Sequence, residues 1–115
     1  NINFKQINSI QLMNYNKKYD LIWIDGAHGY PIVCLDIINS LKLINDKGII
    51  LCDDILLNLK LSKSDRMYNS LASYETLKIL ADQELIRLKL VYKRLSSKDN
   101  CSKEERKFIA VIFKI

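Results

Sequence analysis

Glycine is scarce in this chain: three in 115 residues, at Gly26, Gly29 and Gly48. That scarcity excludes the glycine-rich phosphate cradles. There is no GxxxxGK[ST] loop, which removes the usual route to nucleotide hydrolysis, and no GxGxxG. Cysteine is sparse as well. Cys34, Cys52 and Cys101 form no CxxC pair, which argues against a zinc site or a disulfide frame. Cys34 and Cys52 sit inside apolar runs, where a free cysteine packs like a small hydrophobe, and that usage suits a reducing cytoplasm. No apolar run reaches the length of a membrane span. The opening residues "NINFKQINS" lack a basic region followed by an apolar block, so no signal peptide is expected.

What is present is ordinary for one soluble globular domain: 49% hydrophobic and 27% charged residues in a length that supports one core. The net charge of +5 raises the question of nucleic acid. The lysines are scattered (Lys17, Lys42, Lys60, Lys78, Lys98) and form no block. A nucleic-acid partner is therefore not expected. The chain opens at Asn1, directly in a strand-like pattern and without methionine. It reads as a piece whose beginning lies elsewhere.

Periodicity sets the elements. Alternation over residues 2–7 predicts a short strand, then a short helix over 10–15 capped by Asn8 or Ser9. The apolar run 21–24, bounded by Asp20 and by Asp25-Gly26, predicts a strand buried on both faces. Pro31 suits a first helical turn, and Val33, Ile37, Leu41 and Ile44 recur at helical spacing, so 31–44 is a helix with Asp36 and Asn39 facing out. Gly48 supplies the turn into a second apolar strand, 49–52, which ends at Asp53 and Asp54. Residues 56–69 read as a loop with a helical turn. Residues 70–84 read as a helix with Leu71, Tyr74, Leu77, Leu80 and Ala81 on one face. Residues 85–95 and 108–115 read as an antiparallel strand pair joined by the polar connector 96–106. Strands alternating with helices predict an α/β fold with a mostly parallel sheet flanked by helices.

In such a sheet, ligands bind beyond the carboxyl ends of the strands. Two strands here end in acids, so Asp25, Asp53 and Asp54 are expected on one edge. Three hard oxygen donors would suit magnesium or calcium better than zinc. Turn formation and helix capping explain a single such acid equally well. His28, the only histidine, falls three residues after Asp25. An imidazole titrates near neutrality, so beside a cation it has the means to deprotonate a hydroxyl; a structural role is the alternative.

The segment "YDLIWIDGAHGYPIVCLDIINSLKLINDKGIILCDDI" resembles the centre of class I S-adenosylmethionine-dependent methyltransferases. The paired signature is IDG-x-H-x-Y followed by G-I-I-x-x-D-D. The resemblance implies a Rossmann-like sheet whose last strand runs antiparallel between its neighbours. The whole chain, residues 1–115, would be a partial domain supplying the third to seventh strands. The first two strands, with their glycine-rich loop and ribose-holding acid, would be absent from it. The chain would then be an excerpt of a longer protein, or one that does not bind the cofactor in the ordinary way.

Carried over residue by residue, the resemblance implies cofactor contacts from Asn8, Ser9, Asp25 and Gly26. It implies catalytic roles for His28 and Asp25. It also implies magnesium on Asp25, Asp53 and Asp54, as in the catechol-type O-methyltransferases, with Asp54 in place of the usual amide. The function it implies is methyl transfer from S-adenosylmethionine to a small-molecule oxygen. Arg66, Tyr68 and Tyr74 are candidate substrate contacts, with Tyr74 better explained as core. A non-catalytic truncated domain and a nucleotide- or sugar-handling α/β enzyme remain the alternatives.

Overall fold

In the computed structural model, residues 2–57, 71–93 and 107–115 are described. Of the loop expected over 56–69, Leu56 instead ends a strand and residues 58–69 lie outside them, as do the connector 96–106, Arg66 and Tyr68. Among the described residues, a 3-10 helix, Ser9–Asn14, precedes strand β1, Tyr19–Ile24. Helix α1, Ile32–Leu43, runs directly into the long strand β2, Ile44–Leu56. Helix α2, Leu71–Asp82, and strands β3, Ile86–Tyr92, and β4, Lys107–Lys114, complete the set.

The sheet order is β1-β2-β4-β3. β1 and β2 are parallel, and β4 is antiparallel to both β2 and β3. β4 thus runs against its two neighbours, as the resemblance implies, and the described sheet is mixed rather than mostly parallel, because only the β1–β2 pair is parallel. The register lays out the core in rows. Ile22, Ile50, Ile112 and Leu88 form one row across the four strands, and Ile24, Cys52, Ala110 and Leu90 form the next. Val33 and Ile37 of α1 and Leu77 of α2 close over those rows. Burying one such Ile or Leu stabilises the fold by about 1.5–3 kcal/mol, so these rows carry the stability.

Several expectations change. Residues 2–7 form no strand; Ile2 and Phe4 are almost fully exposed and no described strand lies beside them. Among the described residues β1 has a neighbouring strand on one side only, and it is not buried on both faces. Ile24 points into the core, while Leu21 and Trp23, on the opposite side by the two-residue period, are 61% and 49% exposed. α1 and α2 contact each other and lie on the same face of the sheet, so among the described residues the helices do not flank both faces. Gly48 makes no turn and has no left-handed φ. It lies inside β2, where a Cβ would stand 2.6 Å from Ile44 Cγ1 and 3.0 Å from the Asp20 carbonyl. The glycine is needed for close packing, and α1 passes into β2 without a glycine stop. Asn39 does not face out either. It is buried and donates a 3.1 Å hydrogen bond from Nδ2 to the Ser9 carbonyl, tying the 3-10 helix to α1. Asp36 is half-buried, and its Oδ1 is enclosed without a hydrogen-bond partner.

The acids Asp53 and Asp54 lie within β2, not beyond its end. Cys52 pairs with Ala110 and Ile55 with Phe108, so two residues of β2 oppose Ile109 alone, which is a β-bulge. The inserted residue resets the side-chain alternation, so Ile50, Cys52 and then Ile55 all enter the same core. Asp54 takes a left-handed φ of 53°. A short acid tolerates that conformation better than a branched residue, and the Asp54 N–H donates to Asp53 Oδ1 at 2.7 Å.

Candidate functional site

The pairing of Ile24 with Cys52 puts the ends of β1 and the bulge of β2 side by side. The chain leaves β1 at Asp25, crosses Gly26 and turns through His28 toward α1. The carboxylates of Asp25 and Asp54 and an imidazole nitrogen of His28 come within 4.8 Å of one another. His28 Nε2 lies 3.9 Å from Asp54 Oδ2, and both side chains are largely shielded. Asp53 is not part of that group. It is buried at 6% exposure, and its two oxygens accept from Lys93 Nζ at 2.8 and 2.7 Å.

The lysines come from the other half of the sheet. Lys93 follows β3 and Lys107 begins β4, and the Lys93 N–H donates to the Lys107 carbonyl at 2.9 Å. This pairing aims both ammonium groups at the bulge. Lys93 also reaches Asp54 Oδ1 at 3.1 Å, and Lys107 Nζ lies 3.2 Å from the same oxygen. Burial alone would push the Asp54 carboxyl up; hydrogen bonds to Lys93 and Lys107 outweigh it and hold the group below its ordinary range. Burial alone would pull Lys93 down, and its bonds to Asp53 and Asp54 raise it instead. Cys52 lies behind the acids. Burial first, then the charges of Asp53, Asp36, Asp25 and Asp54, push its thiol up to about 12.

A second feature adjoins the end of β1. A cavity of about 730 Å³ is lined by Ser9, Asp25, Gly26, Asp36 and Ser40, with Ile22, Trp23 and Ile24 as part of its apolar wall. Three of the four residues assigned to cofactor binding, Ser9, Asp25 and Gly26, meet there. The side chain of the fourth, Asn8, caps the 3-10 helix by accepting from the Ile10 N–H at 3.0 Å. The volume falls within the usual span for small-molecule sites. Phe4, Lys5, Ile7 and Leu12 complete its lining, so the wall is apolar with hydroxyls, carboxylates and one ammonium group.

The donor set fits magnesium less well. That ion wants near-octahedral oxygen ligands and dehydrates reluctantly. Both oxygens of Asp53 and one of Asp54 are taken by ammonium groups, and the third donor gathered with Asp25 and Asp54 is an imidazole. Lys93, Lys107, Asp36 and Ser40 are the site residues that sequence reasoning missed. For Asp36 and Ser40 a signal existed in their four-residue spacing, which puts both on one side of α1. For the lysines no local signal exists, because their partners lie about 40 residues away or more.

Tyr74 packs against the hydrophobic core, in keeping with a core role. Among the described residues, no helix is long and apolar enough to cross a membrane. No curated protein matches the chain. Residues 2–55 match the family model of a methyltransferase domain, a span that runs from the extended N-terminal segment through β1, α1 and the acidic bulge. The match supports a class I methyltransferase-like domain over this N-terminal part of the chain, and β4 antiparallel between β2 and β3 is compatible with it.

Proposed function

We propose that the chain acts as an S-adenosylmethionine-dependent methyltransferase on an oxygen of a small molecule, with His28 as general base. The observation that carries this reading is the junction of the cavity with the β1 edge. Ser9, Asp25 and Gly26 line the cavity, and Asp25 also belongs to the close group with His28 and Asp54. S-adenosylmethionine, when bound, supplies an electrophilic methyl group on a sulfonium sulfur. Ser9, Ser40 and the carboxylates of Asp25 and Asp36 offer acceptors for its hydroxyl and ammonium groups. His28 would take the proton of the acceptor hydroxyl as the oxygen–methyl bond forms and the sulfonium carbon–sulfur bond breaks, leaving a thioether; Asp54 Oδ2 stands 3.9 Å from the imidazole Nε2. Magnesium on Asp25, Asp53 and Asp54 has no step in this proposal.

Titration calorimetry of the full chain with S-adenosylmethionine tests the reading. A saturable heat that weakens at least several-fold in Asp25→Asn is expected. A folded chain that releases no heat at millimolar cofactor overturns it. Against a panel of small phenols and alcohols, His28→Ala should lower turnover by about 10²–10⁴-fold, the usual worth of a positioned base. Wild-type turnover in that variant removes His28 from the mechanism.

A further inference from the structure

The acidic bulge carries two negative charges, and the residues nearest to it supply two positive ones. Lys93 spans both carboxylates, with contacts of 2.7 and 2.8 Å to Asp53 and 3.1 Å to Asp54. Lys107 meets Asp54 Oδ1 at 3.2 Å. Both lysine side chains are mostly covered, at 34% and 21% exposure. The strand pairing fixes them there: Tyr92 pairs with Phe108, and the Lys93 N–H bonds the Lys107 carbonyl next to that pair. Register fixes the two lysine backbones beside the bulge, so their ammonium groups are tethered close to the positions they fill. A divalent ion bridging Asp53 and Asp54 through those oxygens would have to displace them and leave a charge with no partner, in a setting where unpaired charge is costly.

We infer that Lys93 and Lys107 are the built-in cation of this strand edge, standing beside Asp53 and Asp54 where a divalent metal would otherwise bind. The Asp54 oxygen that faces His28 is Oδ2, and the lysines hold Oδ1. The clamp therefore also fixes which side of the carboxylate meets the imidazole. Charge balance at the edge is independent of metal supply, and it holds whether or not the cavity takes S-adenosylmethionine.

The test uses Mn²⁺ as the probe and His28 as the reporter. The chain has one histidine, so its imidazole proton resonances are unambiguous, and a paramagnetic ion within a few ångströms broadens them. In the full wild-type chain, substoichiometric Mn²⁺ should leave those resonances sharp, with binding weaker than about 1 mM. In Lys93→Met/Lys107→Met, the bared carboxylates should bind Mn²⁺ at least tenfold tighter and broaden His28. Adding Asp54→Asn should reverse that gain. Micromolar Mn²⁺ binding by the wild-type chain overturns the inference, and so does a folded double variant with no gain. Lys107→Met alone, which leaves Lys93 on Asp53, is the safeguard if the double variant does not fold. It should show a smaller gain, and no gain there counts against the clamp.

Discussion

The apolar runs of β1 and β2 share one sequence pattern, and the acids that follow them have opposite fates. Each is a short run of large apolar residues that stops at an acid. At the end of β1, Asp25 is exposed and lines an open cavity. In β2 the acids fall inside the strand, buried or half-buried, and two lysines neutralise them. The local sequence is nearly the same, so the difference comes from position in the sheet. β1 has a described neighbour on one side only, whereas β2 lies between β1 and β4. A central strand extends its ladder past the acids by means of a bulge. β1, paired on one side among the described residues, lets the chain leave at the first polar residue.

The largest effect separates the two strands themselves. Ile50 is 1% exposed in the centre of β2, and Leu21 is 61% exposed on β1. Ile50→Ala should cost about 2–5 kcal/mol, the range for deleting a buried aliphatic side chain. Leu21→Ala should stay within about 0.5 kcal/mol. Urea unfolding with a common slope measures both. Equal losses would mean that the outer side of β1 is covered in solution.

A middle-sized effect separates the acids. Lys93→Met leaves Asp53 buried without its ammonium partner and should cost about 1–3 kcal/mol, the penalty for a buried unsatisfied polar group. Asp25→Asn should stay within about 0.5 kcal/mol, as for an exposed surface residue. The pH dependence follows the same division. Asp54 is held below its ordinary range when folded, so its contribution is present above about pH 4 and is lost as pH falls through the lower folded value. Lys93 is held above its ordinary range, so its contribution is present below about pH 10.4 and is lost as pH rises through the higher folded value. A plot of Tm against pH should fall at both ends. Asp54→Asn should flatten the acid limb, and an unchanged acid limb would mean that the clamp carries no stability.

The legible part of the fold was what depends on neighbours in sequence. The apolar runs 21–24 and 49–52, the spacing of Val33, Ile37 and Leu41, and the alternation of Leu88 and Leu90 are patterns set within a few residues, and each matched an element, although Leu21 and Trp23 of the first run are exposed. Residues 2–7 also alternate, yet alternation makes a strand only where another strand offers its hydrogen bonds, and none of the described residues does. Gly48 looked like a turn because glycine usually serves there; the constraint was the Ile44 side chain against it. Within the site, Asp25 and His28 were visible because three residues separate them. The clamp was not, because Lys93 and Lys107 read as ordinary charges near strand ends until β4 is placed between β2 and β3.

The smallest effect is chemical and concerns the two described thiols. Cys52 pairs with Ile24 and Ala110 in the core row directly behind the acids, and its thiol is pushed up to about 12. At pH 8 the reactive thiolate is then on the order of one part in 10⁴ of that thiol, and burial blocks the reagent as well. Cys34 is half-buried on α1. Iodoacetamide at pH 8, read by peptide mass spectrometry, should label Cys34 and leave Cys52 unmodified over the same hour. Asp25→Asn should not change this, because burial is the largest cause and Asp25 ranks below both Asp53 and Asp36 among the charges acting on the thiol. Lys93→Met acts differently. If the clamp holds the bulge in register, its loss loosens the ladder around Cys52 and speeds labelling there, while Cys34, on the helix, keeps its rate. Faster labelling at both sites would show that the whole domain had loosened, and the contrast between the two strand ends would then be one of stability alone.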